Sequence, residues 1–164
     1  MPAVSAPLSS AQVGDISITY LPDGIHHVRP LAQYDGADEA FWSSRGHVLD
    51  EHGWLVMSIG SLLVTNGGMN VLIDLSFVVS SGTARAVILG DMIHCPVEIG
   101  QSELDFVFDV DPKLNRETKA RIERELARPD TVTVGPHFPN LVFGRVLPCS
   151  APLSIDFSLS RILA

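Results

Sequence analysis

The sequence predicts a layered α/β (α+β) domain with mixed β-sheets and flanking helices, and three observations point to it. Short β-rich runs bounded by turn residues recur along the chain, at 16–21, 54–65, 69–80, 86–89, 131–134 and 142–147. One well-capped helix stands among them at 113–127. The run Ala86, Val87, Ile88, Leu89 is apolar at every position, which suits a strand covered on both faces.

The bulk properties agree with one folded domain. The chain has 164 residues, of which 46% are apolar and 18% charged, so it can bury a core and is not disordered. A net charge of −8 with scattered basic residues excludes a nucleic-acid surface, because phosphate binding needs a basic patch. No apolar stretch reaches the length of roughly 18 residues that a membrane span requires. The first residues lack the basic and apolar regions of a signal peptide, and Cys95 and Cys149 read as reduced thiols, so a cytoplasmic protein is expected.

Taken in order, residues 1–14 form a small, polar, flexible leader. Alternation at 16–21 reads as a strand closed by the turn signal Pro22, Asp23, Gly24. Residues 30–53 lack periodicity and form a long loop with a short helix near 38–42. Two β-rich runs meet at Asn66, Gly67, Gly68, the strongest short-range hairpin signal. The second of them continues for about twelve residues, 69–80, without turn chemistry, twice the usual strand length. Either one long strand runs through, or two strands are fused where a connection belongs.

Ser81, Gly82 and Thr83 then turn the chain into 86–89. Asp111 suits a helix N-cap and Pro112 its first turn, with Leu114, Thr118, Arg121, Ile122 and Leu126 as a narrow stripe and Pro129 as the stop. Strands at 131–134 and 142–147 follow, and the tail at 149–164 has no clear structure.

Chemistry in layered α/β folds gathers on loops just past strand C-termini. Two places fit. Asp91 leaves the strand 86–89 through Gly90, with His94 three residues on. His137 leaves the strand 131–134 through Gly135 and Pro136. A carboxylate and an imidazole on such loops are what a divalent metal draws on, although a turn residue and a solvated histidine look the same in isolation.

In context the two loops become specific. The segment Gly90, Asp91, Met92, Ile93, His94, Cys95, Pro96, Val97, Glu98 resembles the stretch of metallo-β-lactamase-fold hydrolases in which Gly-Asp supplies a carboxylate bridging two metals. Gly135, Pro136, His137, Phe138, Pro139 resembles the same family's last metal-binding histidine. Residues 14–21, the hairpin 61–75 and the helix 113–127 also fall where that family places its first strand, a hairpin and a helix. The resemblance covers about 14–148 and is nearest to the branch of lactonase-like and organophosphate-hydrolase-like enzymes.

The family's His-x-His-x-Asp-His motif, and a later histidine on a Gly-His turn, are absent. None of the six histidines (His26, His27, His47, His52, His94, His137) form a His-x-His pair. His47, Asp50 and His52 have suitable residue types at the wrong spacing and precede the hairpin. The gap falls inside the overlong run 69–80. The resemblance therefore implies a truncated domain at 15–148, in which a family N-terminal block, 15–75, is joined directly to a C-terminal block, 76–148. That domain is a partial, incomplete αββα sandwich.

The resemblance further implies a zinc or other divalent metal held by Asp91 and His137, with His94 as a third group near them, weakly bound or absent for want of ligands. It implies a small-molecule substrate whose ester, lactone or phosphoester bond is attacked by a metal-bound hydroxide, and a form that is inactive or impaired. Unpaired strand edges favour a homodimer. The alternative is a non-catalytic binding or assembly module that retains part of the fold.

Overall fold

Strand pairing in this chain starts earlier than the turn signals suggest. The computed structural model describes residues 1–147 and 154–157. Ala11 and Val13 alternate with polar neighbours and are buried, making Ser9–Val13 the first strand, β1, within the segment read as leader. It turns at Gly14 into β2, Ile16–Val28. Pro22, Asp23 and Gly24 do not close β2. They form a register shift in its pairing with the long strand β4, which absorbs the missing proline N–H while the ladder continues to Val28.

After β2 come the helical turn α1 (Pro30–Gln33), β3 (Tyr34–Asp35) and α2 (Glu39–Ser43), whose Asp38 cap accepts from the Phe41 N–H. The expected hairpin joins β4, Leu55–Asn66, to β5, Met69–Ile73, with Gly67 and Gly68 both at positive φ in its two-residue loop.

The overlong run proves to be two strands. β5 ends at Ile73, and β6, Phe77–Ser81, begins after three residues in a different sheet. β7 (Ala84–Ile88) follows by a tight hairpin, then β8 (Asp105–Phe106), α3 (Pro112–Leu126), β9 (Thr131–Val134), β10 (Phe143–Leu147) and β11 (Ser154–Asp156). The rest of the tail call, 149–153 and 158–164, lies outside the described residues.

One sheet is antiparallel, in the order β1-β2-β4-β5. The other is mixed, in the order β11-β10-β9-β7-β6, with β7 and β9 parallel and α3 in the crossover between them. The sheets pack face to face over Ile18, Tyr20, Leu62, Ala86, Ile88, Val132 and Val134. The opposite face of β7 presents Val87, joined by Leu89 just past the strand's end, to a second cluster with Leu126 of α3, which is why the run 86–89 is apolar throughout. A third cluster, around Tyr34, Trp42, Leu55 and Cys95, roots the loop 30–53. Among the described residues no helix is long and apolar enough to cross a membrane.

The helix stripe differs from the sequence expectation. Leu114 is exposed, and the buried residues of α3 are Leu126 and, unexpectedly, Lys119. Its ammonium is drawn inward by a buried carboxylate described below.

Both ends of the three-residue link 74–76 are sheet edges. Between β5 and β6 lies an open apolar groove of about 540 Å³, lined by Val71, Leu72, Leu75, Phe77 and Val78 among others. All five of these side chains are exposed.

Leu62→Ala, in the contact between the sheets, is expected to cost about 2–5 kcal/mol of stability in urea unfolding. Leu72→Ala, on the exposed edge, is expected to change it by less than about 0.5 kcal/mol. Equal effects would contradict this placement of the core.

Candidate functional site

The parallel pairing of β7 with β9 brings the C-terminal ends of both strands to the same edge of the sheet. Ile88 is opposite Val134, so the loops carrying Asp91 and His137 leave side by side. Gly90 takes φ +51°, and a Cβ there would lie 2.7 Å from the Ser76 backbone nitrogen, so only glycine fits. Gly135 is equally constrained, because a Cβ would overlap the Phe138 ring at 2.5 Å.

The loops bring the sequence-predicted residues together. His137 Nε2 lies 2.9 Å from Asp91 Oδ1, and His94 Nε2 lies 4.0 Å from the same oxygen. The His94 ring stacks on two others, with its centroid 3.9 Å from that of Phe106 and 5.5 Å from that of His137. Asp91 is open to solvent, with 79% of its side chain exposed, while the two histidines are mostly covered.

Two buried residues that the sequence reading passed over hold these loops. The Glu98 carboxylate is fully buried and accepts from four donors: Tyr34 Oη at 2.8 Å, the His94 N–H at 2.7 Å, the Cys95 N–H at 2.9 Å and Lys119 Nζ at 2.6 Å. It therefore ties the loop after Asp91 to β3 and α3. The second is Ser58 of β4, with no exposed surface, whose N–H donates to the His137 carbonyl at 3.0 Å. Its own carbonyl lies 3.1 Å from His137 Nδ1. A carbonyl only accepts, so Nδ1 carries the proton and Nε2 faces Asp91.

Burial holds the His94 pKa below the ordinary imidazole value; the Glu98 and Asp91 carboxylates oppose that shift, and His137 and Lys119 add to it. Its Nδ1 is buried with no hydrogen-bond partner among the described residues. Burial pushes the Cys95 thiol far up, so this residue is neither a nucleophile nor a ready ligand. Burial, followed by the Glu98 charge, likewise raises the Tyr34 phenol.

The residues set aside in the sequence stay apart from this centre. Asp50 caps a turn through the His52 and Trp54 N–H groups, both at 2.9 Å, and takes His27 Nδ1 at 2.8 Å.

No family model matches the sequence, and no curated protein matches it. Solved structures do match. AbOPH, a hydrolase of the beta lactamase superfamily, aligns with a TM-score of 0.77 at 14% identity over 93% of this chain and 97% of that one. AidC, a dizinc quorum-quenching lactonase solved with a product, aligns with a TM-score of 0.75 at 10% identity over the same shares. A probable metal-dependent hydrolase from Staphylococcus aureus aligns with a TM-score of 0.75 at 11% identity, covering 89% of this chain and 97% of its own. The chain has the metallo-β-lactamase fold.

That fold implies a divalent metal, and the donors can be tested against it. The His137 Nε2 and Asp91 Oδ1 at 2.9 Å are in hydrogen-bond contact, so these two donors lie side by side, and the Nδ1 bond to a backbone carbonyl is the usual support of a metal-binding histidine. Yet catalytic zinc takes about three protein ligands. Among the described residues no group of three or more His, Cys, Asp or Glu side chains is arranged to hold a metal ion. The residues present therefore do not make a complete metal site, and no hydrolytic step follows from them.

Glu98→Ala would leave the Lys119 ammonium buried without a counter-charge and is expected to cost about 3–5 kcal/mol, read from urea unfolding. A loss below about 1 kcal/mol would mean the pair is not desolvated.

Acid is also expected to destabilise the protein. His47 and His94 both have folded-state pKa values below the ordinary 6.5, through burial first, with Arg45 adding to it for His47. The unfolded chain therefore takes up protons first as pH falls. Their contribution is complete above pH 6.5 and is lost progressively below it. The lowered carboxyls Asp50 and Asp105 act only below 3.8, and Glu125 only below 4.5. Unfolding free energy measured from about pH 7.5 to about pH 5 should fall, and His94→Gln should flatten the slope. A pH-independent stability would contradict these assignments.

Proposed function

We propose that this chain derives from the metal-dependent hydrolases of its fold and is inactive or impaired as one. Its ancestral substrates would be small molecules with an ester, lactone or phosphoester bond, and its zinc or other divalent metal is held weakly or not at all. The observation that carries this reading is the meeting of Asp91 and His137 at adjacent strand ends in a metallo-hydrolase fold, with His94 beside them but, among the described residues, no third donor closing the set.

The link 74–76 supports an internal deletion. Leu75 and Ser76 lie against Gly90, the residue before Asp91. A segment inserted between them would emerge beside Asp91, where the missing ligands of the family would be needed. On this reading the protein is cytoplasmic, in keeping with the free, buried Cys95 thiol.

A second reading, a non-catalytic binding or assembly module, is favoured by the exposed groove between β5 and β6. A homodimer covering those edges is one form of it.

Elemental analysis of a single sized species, followed by aryl-ester and lactone assays, tests the proposal. We expect far less than one equivalent of zinc or manganese after dialysis and no turnover above buffer. About one bound equivalent, with turnover lost in both Asp91→Ala and His137→Ala, would overturn it.

A further inference from the structure

β5 pairs only with the far end of β4, residues 62–66. Toward its start β4 continues past the end of β5, and there Ser58 has, among the described residues, no strand partner on that side. The His137 loop takes its place. Ser58 N–H and C=O both bond to His137, and Ser58 Oγ donates to the Phe138 carbonyl at 2.7 Å. One residue of the antiparallel sheet thus makes three hydrogen bonds to the loop that leaves the mixed sheet.

The same hydroxyl is claimed from the other side by the N-terminus. The Ala6 N–H donates to Ser58 Oγ at 2.9 Å, and Ala3 and Ala6 are buried. The strap 3–6 is bonded along its length. Ala3 N–H donates to the Leu49 carbonyl at 2.8 Å, and Val4 exchanges two bonds with Asn140, at 3.0 Å to its side chain and 2.8 Å from its N–H. Asn140 lies three residues after His137 with φ +65° and also donates to the His47 carbonyl. The loop 137–140 is therefore held at His137 and Phe138 by Ser58 and at Asn140 by the strap.

We propose that Ser58 is the positioning residue of the site, and that the N-terminal strap fixes His137 by way of Ser58 and Asn140. The proposal rests on Asp91 and His137 forming the site. The strap sets the angle at which Nε2 meets Asp91, so trimming, modifying or displacing the first six residues loosens the site without touching it. Small side chains at Ala3 and Ala6 let the backbone lie this close.

The test uses the full chain without added metal, so it is indifferent to whether the site binds metal or turns over any substrate. Nitrogen-15 NMR reads the His137 ring directly. A slowly exchanging Nδ1–H is expected in the parent chain. Ser58→Ala keeps both backbone bonds to His137 but removes the hydroxyl's bonds to the Phe138 carbonyl and the Ala6 N–H. Loosening the loop in this way should speed Nδ1–H exchange about tenfold, the scale of one lost buried hydrogen bond, and shift the ring nitrogens, with amides of β2 and the far end of β4 still protected. Asn140→Gly keeps the left-handed backbone but removes both side-chain bonds. It should release the Val4 and Ala6 amides and speed Nδ1–H exchange by a smaller factor.

Asn140→Gly carries the test by itself if Ser58→Ala does not fold. A His137 ring unchanged in a folded Ser58→Ala chain would overturn the positioning role of the Ser58 hydroxyl. A ring unchanged in Asn140→Gly while the strap is free would overturn the strap's part in it.

Discussion

A carboxylate without access to water must find its solvation inside the protein, and Glu98 finds it in four donors from three separate segments. The loop that carries Asp91 and His94 has no regular structure beyond short turns. What gives it a shape is the convergence of the Tyr34 hydroxyl, two backbone N–H groups and the Lys119 ammonium on one side chain. That convergence turns α3 so that Lys119 faces inward and roots β3 beneath the loop. It also fixes the aromatic stack that runs from Trp42 through Tyr34 and Phe106 to His94.

The strands and their order were largely legible because hydrophobic alternation and turn chemistry are local. The hairpin at Gly67 and Gly68, the cap at Asp111 and the two-faced burial of β7 all follow from short windows. Pro22, Asp23 and Gly24 misled because the same residues serve a turn or a bulge, and only the length of the partner strand decides between them. Residues 69–80 were ambiguous for a similar reason. A break of three residues with no Gly or Pro carries no turn signal, yet it moves the chain from one sheet to the other.

The candidate site was half legible. Asp91 and His137 stand out because each follows a buried strand through a glycine, and the parallel register of β7 and β9 then brings them to 2.9 Å. Ser58, Glu98 and Lys119 did not stand out. A serine within a strand and a lysine on a helix read as ordinary solvated positions, and their roles exist only through partners between 21 and 80 residues away. Glu98 had one local trace: it stands three residues after Cys95, with Pro96 at the first helical position, the spacing at which an acidic side chain reaches back to the cap N–H.

In a metal-dependent hydrolase the ion itself ties the loops together. Here the same loops are tied by the Glu98 network and by the bonds of Ser58, so on the proposed reading their shape does not depend on a metal. The central claim is that independence, and thermal unfolding measured in saturating zinc and again in excess chelator tests it most directly. Ligands that bind only the folded state raise its midpoint. The account predicts the same midpoint in both solutions. A midpoint several degrees higher in zinc, reversed by chelator, would contradict it and show that a metal holds the site together.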